Sequence, residues 1–306
     1  MVDADPGLSV VLAGGGCKTF WGMGVLRSIA DLLPPIVRWA GTSAGAIMAL
    51  VEVADRVDLS LAHFLEATRN NPRNFYPRHV LRGRPVFPHE SIARDALRFI
   101  FADGGFARIR QGPPVHILQC YVAPGQSTLR TGFAAYREFD RRNRIGRLHG
   151  PSCPTPGLGT QVVRSIDAAD AEQLLEWVLM SSTAPPVTRM LSDGGRRFLD
   201  GALVDNVPVR ALPKHALSGR ILVLLSAPDK FARRPLRLPE GGQILYLGPA
   251  KFPPARTWDY TSPERIAATY ELGQREGTLL RDRVEALLAA PIVTQIGERR
   301  TKVNQL

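Results

Sequence analysis

Residues 34–50 read PPIVRWAGTSAGAIMAL. A short apolar run, IVRWAG, enters a tight turn of small residues, and AGAIMALVEVADRV leaves it with apolar residues at helical spacing, so a strand is predicted to pass directly into a helix. The turn, Gly41-Thr42-Ser43-Ala44-Gly45, has the form G-x-S-x-G. Two readings fit it. Either Ser43 is a nucleophile held at a sharp corner between Gly41 and Gly45, or the small residues only let a strand meet a helix. A chain with 28 glycines can produce such a string by chance, so the surroundings must decide.

Some 25 residues upstream, LSVVLAGGG reads as a buried strand ending in glycines, and MGVLRSIADLL follows at helical spacing. A strand end of this kind offers backbone amides to an anion at a helix start. A phosphate-binding loop would need G-x-x-x-x-G-K-[ST], but Cys17 separates Gly16 from Lys18. A dinucleotide fingerprint would need a third glycine where Thr19 stands. An oxyanion hole and a plain tight turn remain open. In a parallel sheet, strand ends share one edge, so the glycine run and Ser43 are expected to face one crevice.

A serine nucleophile needs a base. The histidines at 63, 79, 89, 116, 149 and 215 stand in ordinary contexts, and G-x-S-x-G comes too early for the strands that a Ser-Asp-His hydrolase places before it. Asp200 closes the apolar stretch RRFLDGAL, and Gly201 permits a sharp turn there. Asp200-Gly201 can be a hairpin turn, or Asp200 can be a carboxylate whose pKa partial desolvation raises towards that of a useful base.

The rest of the chain alternates strands and helices, which predicts an α/β three-layer sandwich with a largely parallel central sheet. Helices are expected over SLAHFLEATRN, opened by Ser60, over PHESIARDALRFIFA, opened by Pro88 or His89, and over AADAEQLLEWVLMSS. PPVHILQCYVAP, GRILVLLSAP and GQILYLGP read as strands, TLRTGFAAYREF as a segment pairing beside the first, and residues 137–160 as irregular. Ile266, Tyr270, Gly273, Gly277, Leu280, Val284 and Leu287 predict one long helix lying on the sheet, with Ser262 and Pro263 at its start. No repeat or low-complexity linker divides the chain, so one domain spanning 1–306 is expected, with core motifs over about 8–225 and the last strand and helix, about 243–290, packed on it.

With Lys+Arg 39 and Asp+Glu 28, the formal net charge is +11. A basic surface draws anionic partners, phospholipid headgroups or nucleic acid, although it can equally be a solvated face. Arg137, Arg141, Arg142, Arg144 and Arg147 form a basic segment expected to steer the chain to anionic lipid, while no recognition or base-stacking motif supports nucleic-acid binding. Cys17, Cys120 and Cys153 are too far apart for a disulfide framework or a metal site, so neither metal nor cofactor is expected. The first apolar run is too short for a signal peptide and no run would span a bilayer. A cytoplasmic protein, peripheral at most on a membrane, is expected.

Taken together, Gly14-Gly15-Gly16-x-Lys18 leading to GVL, then GTSAG, SSTAPP and LDGALVDNVPV, resemble in order and spacing the patatin-like phospholipases. The resemblance implies a Ser-Asp dyad without a catalytic histidine: Ser43 as nucleophile, Asp200 as base, and an oxyanion hole from Gly14, Gly15 and Gly16 with the Cys17 and Lys18 backbone. It implies that Gly201, Ala202, Asn206 and Pro208 shape the Asp200 loop, and that acyl lipids, phospholipids or related esters, are the substrates. The family usually carries Gly at the position of Thr19 and more often Arg at that of Lys18. A side chain at 19 is expected to shift the turn or lift the helix from the sheet. The alternative is a weak or inactive module binding anionic membrane lipid.

Overall fold

The computed structural model describes residues 7–82, 85–150, 155–228 and 234–292. Cys153, Lys230 and Lys302 lie outside these. The strand predicted at the N-terminus is β1 (Leu8–Leu12), and after the glycine turn α1 (Phe20–Ile29) returns to β2 (Ile36–Gly41) and α2 (Ala44–Val53). Next come α3 (Val57–Arg69), α4 (His89–Phe101), α5 (Gly105–Gln111) and β3 (Val115–Val122). They are followed by α6 (Thr128–Arg144), β4 (Leu158–Arg164), α7 (Ala171–Ser181), and the short β5 (Ser192–Asp193) and β6 (Arg196–Leu199). The chain closes with β7 (Arg220–Leu224), β8 (Leu236–Arg237), β9 (Gln243–Leu247), α8 (Pro263–Leu279) and α9 (Arg281–Ala289).

Among the described residues the strands form one nine-stranded sheet. Its centre is parallel: β1 pairs with β2 and β7, β2 with β3, and β7 with β9. The margins are antiparallel, where β3 takes β4 and β6, β5 pairs with β6, and β8 with β9. Along one edge of β3 lies β4, from His116 to Val122. The other edge is shared end to end, with β2 against Val115–Ile117 and β6 against Cys120–Val122. Strand β6 therefore runs towards the point where β2 stops.

Alternate residues of β1 separate the two faces. Leu8, Val10 and Leu12 join the main core with α1, α2, α4 and α7, whereas Val11 and Ala13 face Val207, Val209, Ala211 and Leu212. The second layer is thus α6 together with short 3₁₀ turns rather than a row of helices. This follows from the sequence of 207–213, VPVRALP, whose two prolines prevent a continuous helix.

Four expectations need correction. TLRTGFAAYREF is not a strand but the body of α6, with Ser127 as its cap and Thr131, Gly132, Ala135 and Arg142 buried on one face. The segment from 137, expected to be irregular to 160, is accordingly helical to Arg144, and its last residues belong to β4, which begins at Leu158; residues 151–154 lie outside the described residues. Helix α3 begins at Val57, and Ser60 is buried within it rather than capping it. The long C-terminal helix is interrupted at Leu280, so α8 packs on α1 while α9 reaches β7 and β9. Small residues set the α1–α8 approach, since a Cβ at Gly24 would lie 2.0 Å from Tyr270 O and one at Gly273 would lie 2.1 Å from Trp21 O.

Candidate active site

The meeting of β2 and β6 on one edge of β3 builds the site. Ser43, one residue beyond Thr42 at the end of β2, has φ 51° and ψ −131°. For a non-glycine residue that backbone costs about 1–3 kcal/mol and must be held by its surroundings. A hydrogen bond holds it: Ser43 N donates to Ser181 Oγ at 2.9 Å, and Ser181 Oγ donates to Leu118 O at 2.6 Å. Leu118 lies between the stretches of β3 paired with β2 and β6, so the fully buried Ser181 hydroxyl fills the join. Gly45 lets α2 start there, because a Cβ would sit 2.3 Å from Leu12 O, and one at Gly41 would sit 2.6 Å from Ala46 N.

Asp200 follows β6 directly. Its Oδ2 accepts from Ser43 Oγ at 2.8 Å, and its Oδ1 accepts from Ala202 N at 2.8 Å. Desolvation raises its pKa to about 6, against the lowering effect of the bonds from Ala202 and Ser43. The carboxylate is therefore more basic than an ordinary aspartate and still ionised at neutral pH. Gly201 presses against Thr42 and Leu118, where a Cβ would come within 2.3 Å of Thr42 Oγ1.

Across the cleft lies the glycine turn. Gly15 (φ 156°) and Gly16 (φ 59°) both lie in the region that favours glycine. Two of the turn's amides are engaged: Gly14 N donates to Asn206 O at 3.0 Å and Cys17 N to Thr257 O at 3.2 Å. Ser226 Oγ donates to Gly14 O at 2.5 Å. Thr19 needs no glycine conformation, with φ −68°, and its Oγ1 donates to Gly16 O at 2.7 Å, so its side chain ties the turn to the helix entry instead of displacing it. Burial holds the Lys18 ammonium below its usual pKa, and its side chain lines the cleft.

The cleft measures about 1160 Å³ and is lined by Gly15, Gly16, Ser43, Asp200 and Asn206, and also by Tyr136 and Trp258. A small apolar chamber of about 50 Å³ adjoins it, sharing Gly16, Ala44 and Ile47 and reaching Met23, Met48 and Phe64. Cys17 also lines the chamber, its thiol kept protonated by burial.

Among the described residues, Ser43 Oγ is hydrogen-bonded to Asp200 and to no histidine. His63 pairs with Asp95, His79 with Pro85 O, and His149 with Val207 O and Tyr246 OH. His89 lines the cleft with its ring against Tyr260 and Trp258. Among the described residues no group of three or more His, Cys, Asp or Glu gathers that could hold a metal ion. No helix there is long and apolar enough to cross a membrane.

The sequence model of one family, patatin-like phospholipase, matches residues 10–213. The chain belongs to the patatin-like phospholipase family. As a member of that family it is by class a lipid acyl hydrolase, and its mostly parallel sheet flanked by helices is the patatin fold. Among solved structures, the chain is similar to VipD from Legionella pneumophila at 14% identity and TM-score 0.45, over 91% of this chain and 67% of that one. No curated protein matches the sequence.

Ser181, Thr257 and Ser226, which hold Ser43 and the glycine turn through hydrogen bonds, are absent from the residues expected from the sequence. Ser181 had a signal, since it opens the SSTAPP motif, but its hydroxyl's target is distant in sequence. Thr257 and Ser226 had none.

Proposed function

We propose that the chain hydrolyses carboxylic esters of acyl lipids through Ser43 and Asp200. The observation that carries this reading is the 2.8 Å bond from Ser43 Oγ to Asp200 Oδ2 within a cleft that also contains the glycine turn. Asp200 takes the Ser43 proton as Oγ attacks the ester carbonyl. The negative charge that develops on the carbonyl oxygen is stabilised by amides of the turn. With Gly14 N and Cys17 N engaged elsewhere, Gly15 N and Gly16 N are assigned as the donors, beside the start of the 3₁₀ turn Gly16–Thr19. Proton return to the departing alcohol leaves an acyl-enzyme. Asp200 then activates water, which releases the fatty acid and restores Ser43.

The apolar chamber beside Ala44 takes the first carbons of the acyl chain, since it has room for a few methylene groups and lines itself with methionine and phenylalanine. Anionic lipid is the expected surface. Arg137, Arg144 and Arg147 remain exposed for it, but Arg142 is spent inside the fold, donating to Val204 O at 2.8 Å and to Leu203 O.

Hydrolysis of a chromogenic medium-chain ester, measured with chelator present for wild type, Ser43→Ala and Asp200→Asn, tests the reading. Loss in both folded variants is expected; turnover by Ser43→Ala at the wild-type rate overturns it.

A further inference from the structure

Helix α6 turns one face inward and leaves another without a partner. Leu129, Phe133 and Tyr136 are 85%, 67% and 38% exposed. Their spacing of four and three places them on one outward stripe. Ile145, just past the helix, is 54% exposed. The stripe is continuous with the cleft, because Tyr136 also lines the cleft that contains Ser43, as does Ile145. From the connection between β9 and α8, Phe252 is 71% and Trp258 40% exposed, and both line the same cleft. The cleft is therefore bordered, from two separate elements, by apolar side chains that the fold leaves exposed.

Exposed arginines accompany the stripe at 130, 137, 141, 144 and 147. The Arg137 guanidinium lies 5.9 Å over the Phe133 ring, while Arg141 and Arg144 pair with Glu138 and Asp140 on the same helix. An outward apolar stripe beside a row of cationic side chains is the pattern of a helix that lies in a membrane interface, rings among the acyl chains and guanidinium groups among the phosphates. The net charge of +11 acts in the same direction.

We propose that α6 and the Phe252–Trp258 rim form an interfacial docking surface that seats the mouth of the cleft on an anionic lipid bilayer. An acyl chain can then pass from the bilayer into the cleft along apolar side chains without crossing water. The choice of lipid over a protein partner rests on the acyl-hydrolase reading of the cleft and on the flanking positive charge.

The test uses the full chain and vesicles of three parts phosphatidylcholine to one part phosphatidylglycerol. Leu129→Ser with Phe133→Ser alters two residues that line no part of the cleft. Leu279→Ser is the control; it is 82% exposed at the end of α8, near the Arg281–Asp31 pair and away from the strand ends that carry Ser43. Co-sedimentation is expected to fall by about tenfold or more in the double variant and to be unchanged in the control. Cleavage of soluble p-nitrophenyl butyrate is expected to be unchanged in both. Equal vesicle binding by wild type and double variant, or no binding by wild type, overturns the proposal, and the latter result would favour a protein partner. A second measurement needs only wild type and Trp258→Phe: lipid brominated in its chains should quench tryptophan emission in the first and much less in the second. Absence of quenching in wild type also overturns it. Vesicle binding decides this proposal whether or not the ester is cleaved, while ester cleavage alone decides the hydrolase reading.

Discussion

Ser43 Oγ lies 2.8 Å from Asp200 Oδ2 although 157 residues separate them in sequence. The contact exists because β2 and β6 meet end to end along β3, so that one strand's exit faces the other's. Removing either partner should spare the fold and remove the chemistry. Ser43→Ala is expected to abolish turnover of a soluble ester, and Asp200→Asn to lower kcat by about 10²–10⁴, the usual range for a positioned general base. Circular dichroism of both variants checks that they are folded.

The raised pKa of Asp200 predicts two pH effects of opposite sense. Activity needs the ionised carboxylate, so kcat/KM for a soluble ester should rise through about pH 6 and then level off. Stability runs the other way. Below the ordinary value of 3.8 the group is neutral in both folded and unfolded chains; between there and about 6 it ionises only when unfolded, and stability falls with rising pH. Asp200→Asn avoids that loss. It should melt higher than wild type at pH 8, with the difference closing by about pH 4 in thermal scans.

Ser181 touches no reacting atom, but it fixes the amide of Ser43. Ser181→Ala should lower kcat for a soluble ester by about tenfold with KM little changed, because the substrate contacts remain and the Ser43 backbone loses its restraint. A rise in KM with kcat unchanged would instead place Ser181 in substrate binding.

Chain-length selectivity should follow the small chamber. Met48→Ala enlarges it, and each further methylene accommodated should raise kcat/KM by about fourfold, from about 0.8 kcal/mol of apolar burial. Ala96→Phe fills the same space and should shift the optimum towards shorter esters. A series of p-nitrophenyl esters from acetate to decanoate reads both; superimposable profiles would remove the chamber from the acyl path.

At Gly16 an added methyl group meets Thr257 O at 2.0 Å with φ at 59°. Gly16→Ala should therefore destabilise the fold by about 1–3 kcal/mol, visible as a shifted denaturation midpoint, and reduce ester turnover with it.

The parts legible in the sequence were those whose signal is local. The strand and glycine turn at Gly14–Gly16, the corner at Ser43 and the strand end at Asp200 each announce themselves within a few residues. Helix α6 did not, because its phenylalanine, tyrosine and threonine content imitates a strand and its apolar residues lie on two faces, one buried and one exposed. Strand β4 was hidden because LGTQVVR is only partly buried along its length. Ser181 illustrates a different limit: its hydroxyl matters through Ser43 and Leu118, 138 and 63 residues away, and no pattern along the chain encodes that.

Thr257 O receives the amide of Cys17, Asp259 O receives its thiol, and Trp258 and Tyr260 wall the cleft. All four lie beyond residue 213, where the family match stops. The matched region thus does not contain the groups that hold the glycine turn. A fragment ending there would keep Ser43 and Asp200 yet lack the clamp on the glycine turn, so the connection from β9 to α8 is expected to belong to the smallest piece of this chain that can work, and variation within it offers a route to altering activity without touching the motifs.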